Sequence, residues 1–235
     1  MEFRAGDVLT ISCPFVETTV MRVSEWHVAV RWPWWQVDPD VRWARWDGNA
    51  ALARDPETFD WANELFRTDP SAGVLVAGAR CRVGIPPTVV HVMDVVSFDP
   101  PLETGMLPRP RRLLNLLHKG VSVDLDSDDQ GCSIDPDGDI PLSIELLFRP
   151  YAFLDLGDDL VDAAGRAWRF DGPWIWHPYD GLSGVPAWPL TLLNRVGLEL
   201  LPEHRAEIAA ATATGSHSNE IDQWSIYAEA APPVH

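Results

Sequence analysis

The sequence of 235 residues predicts a mainly β fold, and three observations indicate it. β-Branched and aromatic residues concentrate in short segments, as is typical of strands. The 21 prolines, with clusters of Gly and Asp, divide the chain into short elements. Helix signals are few. Together these features favour a β-barrel or β-sandwich with two or three short helices, and an α+β arrangement is the alternative.

The predicted strands share β-branched or aromatic residues and are bounded by turn residues. The first opens with "DVLTIS", and the last is "DQWSIYA". They cover residues 7–12, 18–23, 25–32, 80–85, 88–98, 142–148, 166–172, 188–201 and 222–228.

Three segments carry helix signals. Residues 55–70 begin with an Asp-Pro pair, which suits a helix start, and continue with apolar residues at helical spacing. Residues 108–120 contain four leucines at helical spacing and finish in Lys-Gly, which is typical of a helix end. Residues 202–213 begin with Pro-Glu and are rich in alanine. These segments predict the short helices of the fold.

The chain also carries a weak internal repeat. "GDVLTI" precedes "PWWQVDPD" near the start, and "GDDLVD" precedes "PWIWHPYDG" later. A duplication would give two SH3-like barrels. The predicted organisation is an N-terminal β-rich module (1–107), a helix plus an acidic connecting loop (108–140) and a C-terminal β-rich module (141–235). A single domain over 1–235 is the alternative.

Charge restricts the classes of partner. The chain has 18 basic and 35 acidic residues, a formal net charge of −17 and a pI near 4.6. Such a charge disfavours nucleic acid and anionic membrane, both of which need basic surfaces, and favours basic proteins or cations. Of the basic residues, 17 are arginine, which favours a GC-rich bacterial coding genome.

Location and redox state follow from simple absences in the sequence. No run of eighteen apolar residues and no signal-peptide pattern occurs, so a soluble, cytoplasmic protein is predicted. Cys13, Cys81 and Cys132 are far apart and odd in number. They are therefore predicted to be buried free thiols rather than disulfides or zinc ligands.

The stretch "RWPWWQVDPDVRWARWDG", residues 31–48, holds five tryptophans. In the strand that leads into it, alternation places Trp26 and Trp32 on the buried face. The tryptophans after Pro33 have no such assignment, because proline interrupts a ladder. They could all be core, but tryptophan is also favoured at binding surfaces. The candidate groove residues are Trp34, Trp35 and Trp46.

The second aromatic segment, "GPWIWHPYDG", brings a histidine, a tyrosine and an aspartate close together beside tryptophans. Such a set could complete a binding groove or a small-ligand site. The alternative is an ordinary turn with proline and Asp-Gly chemistry. The candidates are Trp176, His177, Tyr179 and Asp180.

The segment "DLDSDDQGCSIDPDGD" holds seven aspartates and no basic residue. Its spacing matches a calcium loop only in part. We therefore expect no cofactor, with Ca²⁺ or Mg²⁺ as the alternative. The other interpretation is a solvated acidic loop that steers basic partners. The candidate metal ligands are Asp124, Asp126, Asp128, Asp135, Asp137 and Asp139.

Familiar catalytic motifs are missing from the sequence: it contains no GxSxG, Walker loop, GxGxxG or HExxH pattern. We therefore expect a non-enzymatic protein-binding module, of adaptor or immunity type, that engages a basic partner protein. One alternative is a divalent-metal-dependent hydrolase of a small phosphorylated substrate. Another is a structural subunit of a larger assembly.

Overall fold

The computed structural model describes residues 2–41, 43, 46–55, 64–121, 130–199 and 201–228. The fold is mainly β, as predicted, with antiparallel sheets and, within the described ranges, two α-helices. The chain forms two compact units. The first unit comprises residues 9–146, and the second comprises residues 1–8 together with 147–235.

Among the described residues, ten strands belong wholly or mostly to the first unit. A short 3-10 turn (Ala72–Val74) accompanies them. The strands are β1 (Val8–Val23), β2 (His27–Arg31), β3 (Gln36–Val37), β4 (Asn49–Ala53), β5 (Arg67–Asp69), β6 (Arg80–Ser97), β7 (Met106–Leu107), β8 (Arg112–His118), β9 (Cys132–Ile134) and β10 (Ser143–Phe148).

Eight of these strands form one curled antiparallel sheet, in the order β4-β2-β1-β6-β8-β9, with β10 paired to β1 and β5 paired to β6. β3 and β7 form a separate two-stranded sheet. The register of the large sheet shifts between Val20 and Arg22 in β1 and between Val92 and Asp94 in β6. Such bulges increase the local twist, which suits a sheet that curls.

The two longest strands each join two of the predicted segments. β1 covers residues 7–12 and 18–23 almost completely, and β6 joins 80–85 with 88–98. Pro86 and Pro87 lie within β6, exposed, between the part that pairs with β5 and the part that pairs with β8. Proline is tolerated there because the strand changes partner at that point.

Gly84 shows how closely β1 and β6 approach. A Cβ atom at this position would lie 2.8 Å from the carbonyl oxygen of Cys13 and 2.9 Å from the Cα atom of Phe15. Both neighbours are backbone atoms that cannot rotate away. Glycine is therefore required by the packing of the two strands rather than by a turn.

The second unit combines a four-stranded antiparallel sheet, in the order β13-β12-β11-β14, with two helices. Tyr151, Leu154, Phe170 and Ile208 are among the residues of its buried core. Its elements are β11 (Asp158–Val161), β12 (Ala167–Gly172), β13 (Ile175–Pro178), β14 (Thr191–Asn194), α1 (Pro202–Ala211) and α2 (His217–Ala228).

The helix predictions met three different outcomes. The helix at Pro202 is confirmed as α1. The helix predicted over 108–120 is wrong, because its leucines form β8, which pairs with β6 and β9. Of the helix predicted over 55–70, residues 56–63 lie outside the described residues, and the chain beyond them enters β5 without a helix.

The strand predicted over 222–228 is also wrong, because these residues belong to α2. Trp224 and Ala228 are its buried residues, and their spacing of four puts them on one helix face. Within the described residues, neither α1 nor α2 is long and apolar enough to cross a membrane. The modules bounded at residues 107 and 140 stay a prediction.

Candidate binding surface

Tryptophans of the first unit form a cluster around Trp32, which is buried at the end of β2. The ring centroid of Trp32 lies 5.0 Å from that of Trp34, 5.4 Å from that of Trp35 and 4.7 Å from that of Phe66. Trp46 extends the cluster, with its centroid 6.2 Å from that of Trp35. The structure therefore brings the three groove candidates Trp34, Trp35 and Trp46 together, each half-buried.

Strand alternation misassigned Trp26. This side chain, predicted to be core, is 55% exposed. The reason is that β2 begins at His27, so Trp26 lies in the preceding bend, where the alternation of faces does not apply. Trp43 is exposed as well, at 73%. The stretch 31–48 thus divides into one buried ring, three half-buried rings and one exposed ring.

A cavity of about 170 Å³ opens beside the cluster. Its walls come from segments that are distant in sequence: the residue before β3, the β7 region, β8 and the β9 region. Most of the lining is apolar, and three polar side chains complete it. The apolar residues are Trp35, Met106, Pro108, Pro110 and Leu113, and the polar ones are Thr104, Ser133 and Asp135.

Backbone pairing and one ion pair hold the Trp35 side of the cavity in place. Gln36 in β3 pairs with Leu107 in β7. The Arg109 Nε–H donates to Asp38 Oδ2 over 2.7 Å, and the Asp38 N–H donates to the Gly105 carbonyl. The hydrogen bond from Arg109 holds the pKa of the Asp38 carboxyl below its ordinary value. The pair therefore stays ionised and fixes β3 against β7.

Among the described residues, Asp135 supplies the one carboxylate on the cavity wall. Its Oδ1 accepts a hydrogen bond from the backbone N–H of Asp137 over 2.9 Å. Burial raises the pKa of Asp135 above its ordinary value. In the part of the chain that the structure describes, no basic side chain forms an ion pair with Asp135, whereas Arg112 pairs with Asp137 at 2.9 Å. Asp135 is therefore a carboxylate without a direct ion pair among the described residues, although the nearby charge of Arg112 partly offsets the rise in its pKa.

Only three of the six predicted metal ligands lie among the residues that the structure describes. Asp124, Asp126 and Asp128 lie outside the described residues. Asp135, Asp137 and Asp139 are described, but Asp137 is engaged with Arg112. No three His, Cys, Asp or Glu side chains in the described ranges lie close enough together to hold a metal ion. The calcium loop therefore stays a prediction.

The candidates of the second unit each contact a neighbouring residue. Trp176 packs into the core cluster, with its centroid 4.9 Å from that of Phe170. The three polar candidates each have a polar partner. His177 Nε2 lies 3.3 Å from Asp171 Oδ2, and the Tyr179 hydroxyl donates to Asp159 Oδ1 over 2.5 Å. Asp180 accepts two hydrogen bonds from Arg166, at 2.8 and 2.9 Å. That pairing lowers the pKa of Asp180 to about 2.

Two features of the structure were not predicted from the sequence. The buried Tyr151 hydroxyl lies 2.5 Å from His217 Nδ1, and the backbone N–H of Tyr151 donates to Glu220 Oε2. These contacts attach the start of α2 to the core of the second unit. The cavity residues Met106, Pro108 and Pro110 were also missed, although the proline spacing in "MLPRP" marks an extended segment that cannot be a helix interior.

No protein-family model, curated protein or solved structure matches the chain.

Proposed function

We propose that the protein is a non-enzymatic, acidic protein-binding module that engages a basic partner protein at the cavity beside Trp35. The observation that carries this proposal is an apolar cavity of about 170 Å³ with a carboxylate on its wall that has no direct ion pair among the described residues. Pockets for whole small ligands begin at roughly 300 Å³, so this cavity suits a single side chain of a partner better.

The surroundings of the cavity support the same function. Half-buried tryptophans supply a large contact area with few rotatable bonds, which favours them at interfaces. The hydroxyl of Ser133, the candidate nucleophile on the wall, donates to the Asn115 amide oxygen at 2.6 Å rather than to a base. An amide oxygen does not take up a proton at neutral pH, so this pair is suited to structure and not to nucleophilic attack.

The charge of the chain supports a basic partner. The segment from residue 121 to 163 carries twelve acidic residues against one basic residue, and the chain as a whole carries −17. A field of one sign accelerates encounter with partners of the opposite sign, and salt screens it. Binding is therefore expected to weaken as the ionic strength rises.

A random-peptide display library selected on the immobilised full chain tests the proposal. The expected result is enrichment of basic peptides that are captured poorly by the Trp35→Ala variant but normally by Trp43→Ala, a matched substitution of an exposed ring outside the cavity. Enrichment of neutral or acidic peptides, or equal capture by both variants, would overturn it.

A further inference from the structure

The cavity beside Trp35 limits the shape of the side chain that can enter. Much of its wall is formed by the indole ring of Trp35 and by the apolar side chains of Met106, Pro108 and Leu113. The polar side chains of the wall are Asp135 and Ser133, from the β9 region, and Thr104, from the segment before β7. An occupant must therefore be apolar along most of its length and polar at its end.

The polar part of the wall offers acceptors. The Asp135 carboxylate can only accept, and part of its capacity is already used by the backbone N–H groups of Asp137 and Gly138. The hydroxyl hydrogen of Ser133 is donated to Asn115, which leaves the oxygen lone pairs. The end group of the occupant must therefore donate hydrogen bonds, and a positive charge suits the carboxylate best.

Arginine fits this description better than lysine. Its guanidinium is planar, stacks on aromatic faces and is less strongly hydrated than an ammonium group, so it loses less on entering an apolar cavity. Its aliphatic stem packs on apolar walls. A carboxylate with free lone pairs also matches the fork of guanidinium N–H donors.

The second unit of the same chain contains the corresponding arrangement within itself. The Arg166 guanidinium carbon lies 4.4 Å from the ring centroid of Trp168. The same guanidinium donates to both oxygens of Asp180, over 2.8 and 2.9 Å. An indole and a carboxylate thus hold one arginine in this fold, whereas no arginine of the described residues lines the cavity of Trp35 and Asp135.

We infer, on the basis of the proposed function, that the cavity receives an arginine side chain of the partner polypeptide. The stem lies against Met106 and Pro108, and the guanidinium lies between the Trp35 indole and the Asp135 carboxylate.

The test is an NMR titration of the full chain with Nα-acetyl-arginine N-methylamide, followed at the indole N–H of Trp35. A single side chain is expected to bind in the millimolar range. The citrulline analogue, which is neutral but has nearly the same shape, is expected to bind at least about tenfold more weakly, and the lysine analogue also more weakly. Asp135→Asn should abolish the preference for arginine over citrulline, whereas Asp139→Asn, with the same change of charge, should retain it.

The outcomes separate this inference from the proposed function. An absent or non-saturable shift at Trp35, equal binding of the arginine and citrulline analogues, or an Asp135→Asn variant that behaves as wild type would overturn the arginine site. Basic peptides that still bind in a Trp35-dependent manner would then leave the proposed function standing. Saturable arginine binding, with no basic peptide whose capture depends on Trp35, would instead overturn the proposed function and leave the arginine site standing.

Discussion

The Glu64 carboxyl lies largely inside the first unit, where it accepts a hydrogen bond from the backbone N–H of Ala53 over 2.9 Å. Burial raises the pKa of this group from its ordinary 4.5 to about 7. The native state therefore holds the Glu64 proton through a range of pH in which the unfolded chain has lost it. Stability falls with rising pH in that range.

Replacing Glu64 with glutamine should remove this dependence. Below pH 4.5 the group is protonated in both states, and above about pH 7 the native state is disfavoured by about 3 kcal/mol. In denaturant unfolding, the free energy of unfolding of wild type should be lower at about pH 8 than at about pH 5, and Glu64→Gln should lack this decrease. The exposed Glu145→Gln is the control. Identical pH dependence in wild type and Glu64→Gln would contradict the burial of this carboxyl.

Asp7 and Arg149 form a buried ion pair in the second unit. Asp7 is fully buried, and it accepts hydrogen bonds from Arg149 Nε and Nη2, each over 2.7 Å. Arg149→Met should cost about 3 to 5 kcal/mol, because it leaves a carboxylate without its partner in the interior. In the exposed pair of Arg22 with Asp47, Arg22→Met should cost less than about 1 kcal/mol. If denaturant unfolding showed that Arg149→Met and Arg22→Met lower the free energy of unfolding equally, the assignment of Asp7 and Arg149 as a buried ion pair would be contradicted.

Helix α2 (His217–Ala228) is fixed to the second unit by Trp224. Its indole N–H donates to the Gly6 carbonyl over 2.9 Å, and the side chain is buried. Trp224→Ala should destabilise the protein by about 3 to 5 kcal/mol. Trp224→Phe should cost less, because it keeps most of the packing and loses the hydrogen bond.

The control on the same helix is Ile226→Ala, at a side chain that is 70% exposed. It should change the free energy of unfolding by no more than about 0.5 kcal/mol. If Ile226→Ala and Trp224→Ala were equally destabilising, the helix face assigned to the core would be wrong.

The elements also show which parts of the fold the sequence predicts. Segments rich in β-branched residues, such as 80–98, are strands because that composition suits a pleated, half-buried surface. The helix predicted over 108–120 was wrong because a strand buried on both faces has a continuous apolar run, and the leucines of β8 therefore resemble those of a buried helix. In 222–228, aromatic composition outweighed the spacing of Trp224 and Ala228, which marks a helix face.

The candidate surface was predicted in the same uneven way. Trp35 was singled out because Pro33 ends the strand before it, and Asp135 because it lies in an acidic segment. That they line one cavity could not be predicted, since they are 100 residues apart and meet through the pairing of β3 with β7 and of β8 with β9. Local pattern finds unusual residues, but long-range strand pairing decides which of them meet.

At the scale of the whole molecule, the acidic charge suits both a basic partner and divalent cations, so metal binding is what distinguishes the proposed binding module from the metal-dependent hydrolase. A ligand that binds only the folded state raises the melting temperature. Melting at matched ionic strength with EDTA, Ca²⁺, Mg²⁺ or Mn²⁺ should therefore give equal midpoints for a module without a metal site. A rise of several degrees that only one of these cations produces would favour the hydrolase.

The most direct test of the central claim is the affinity of the selected basic peptides for wild type, Trp35→Ala and Trp43→Ala, measured by calorimetry at low and high salt. The proposed function predicts that Trp35→Ala weakens binding by at least about tenfold. It also predicts that Trp43→Ala binds as wild type does, and that added salt weakens binding to wild type. Binding that is insensitive to salt, or equally reduced in both variants while each remains folded, would contradict a basic partner held at the cavity beside Trp35.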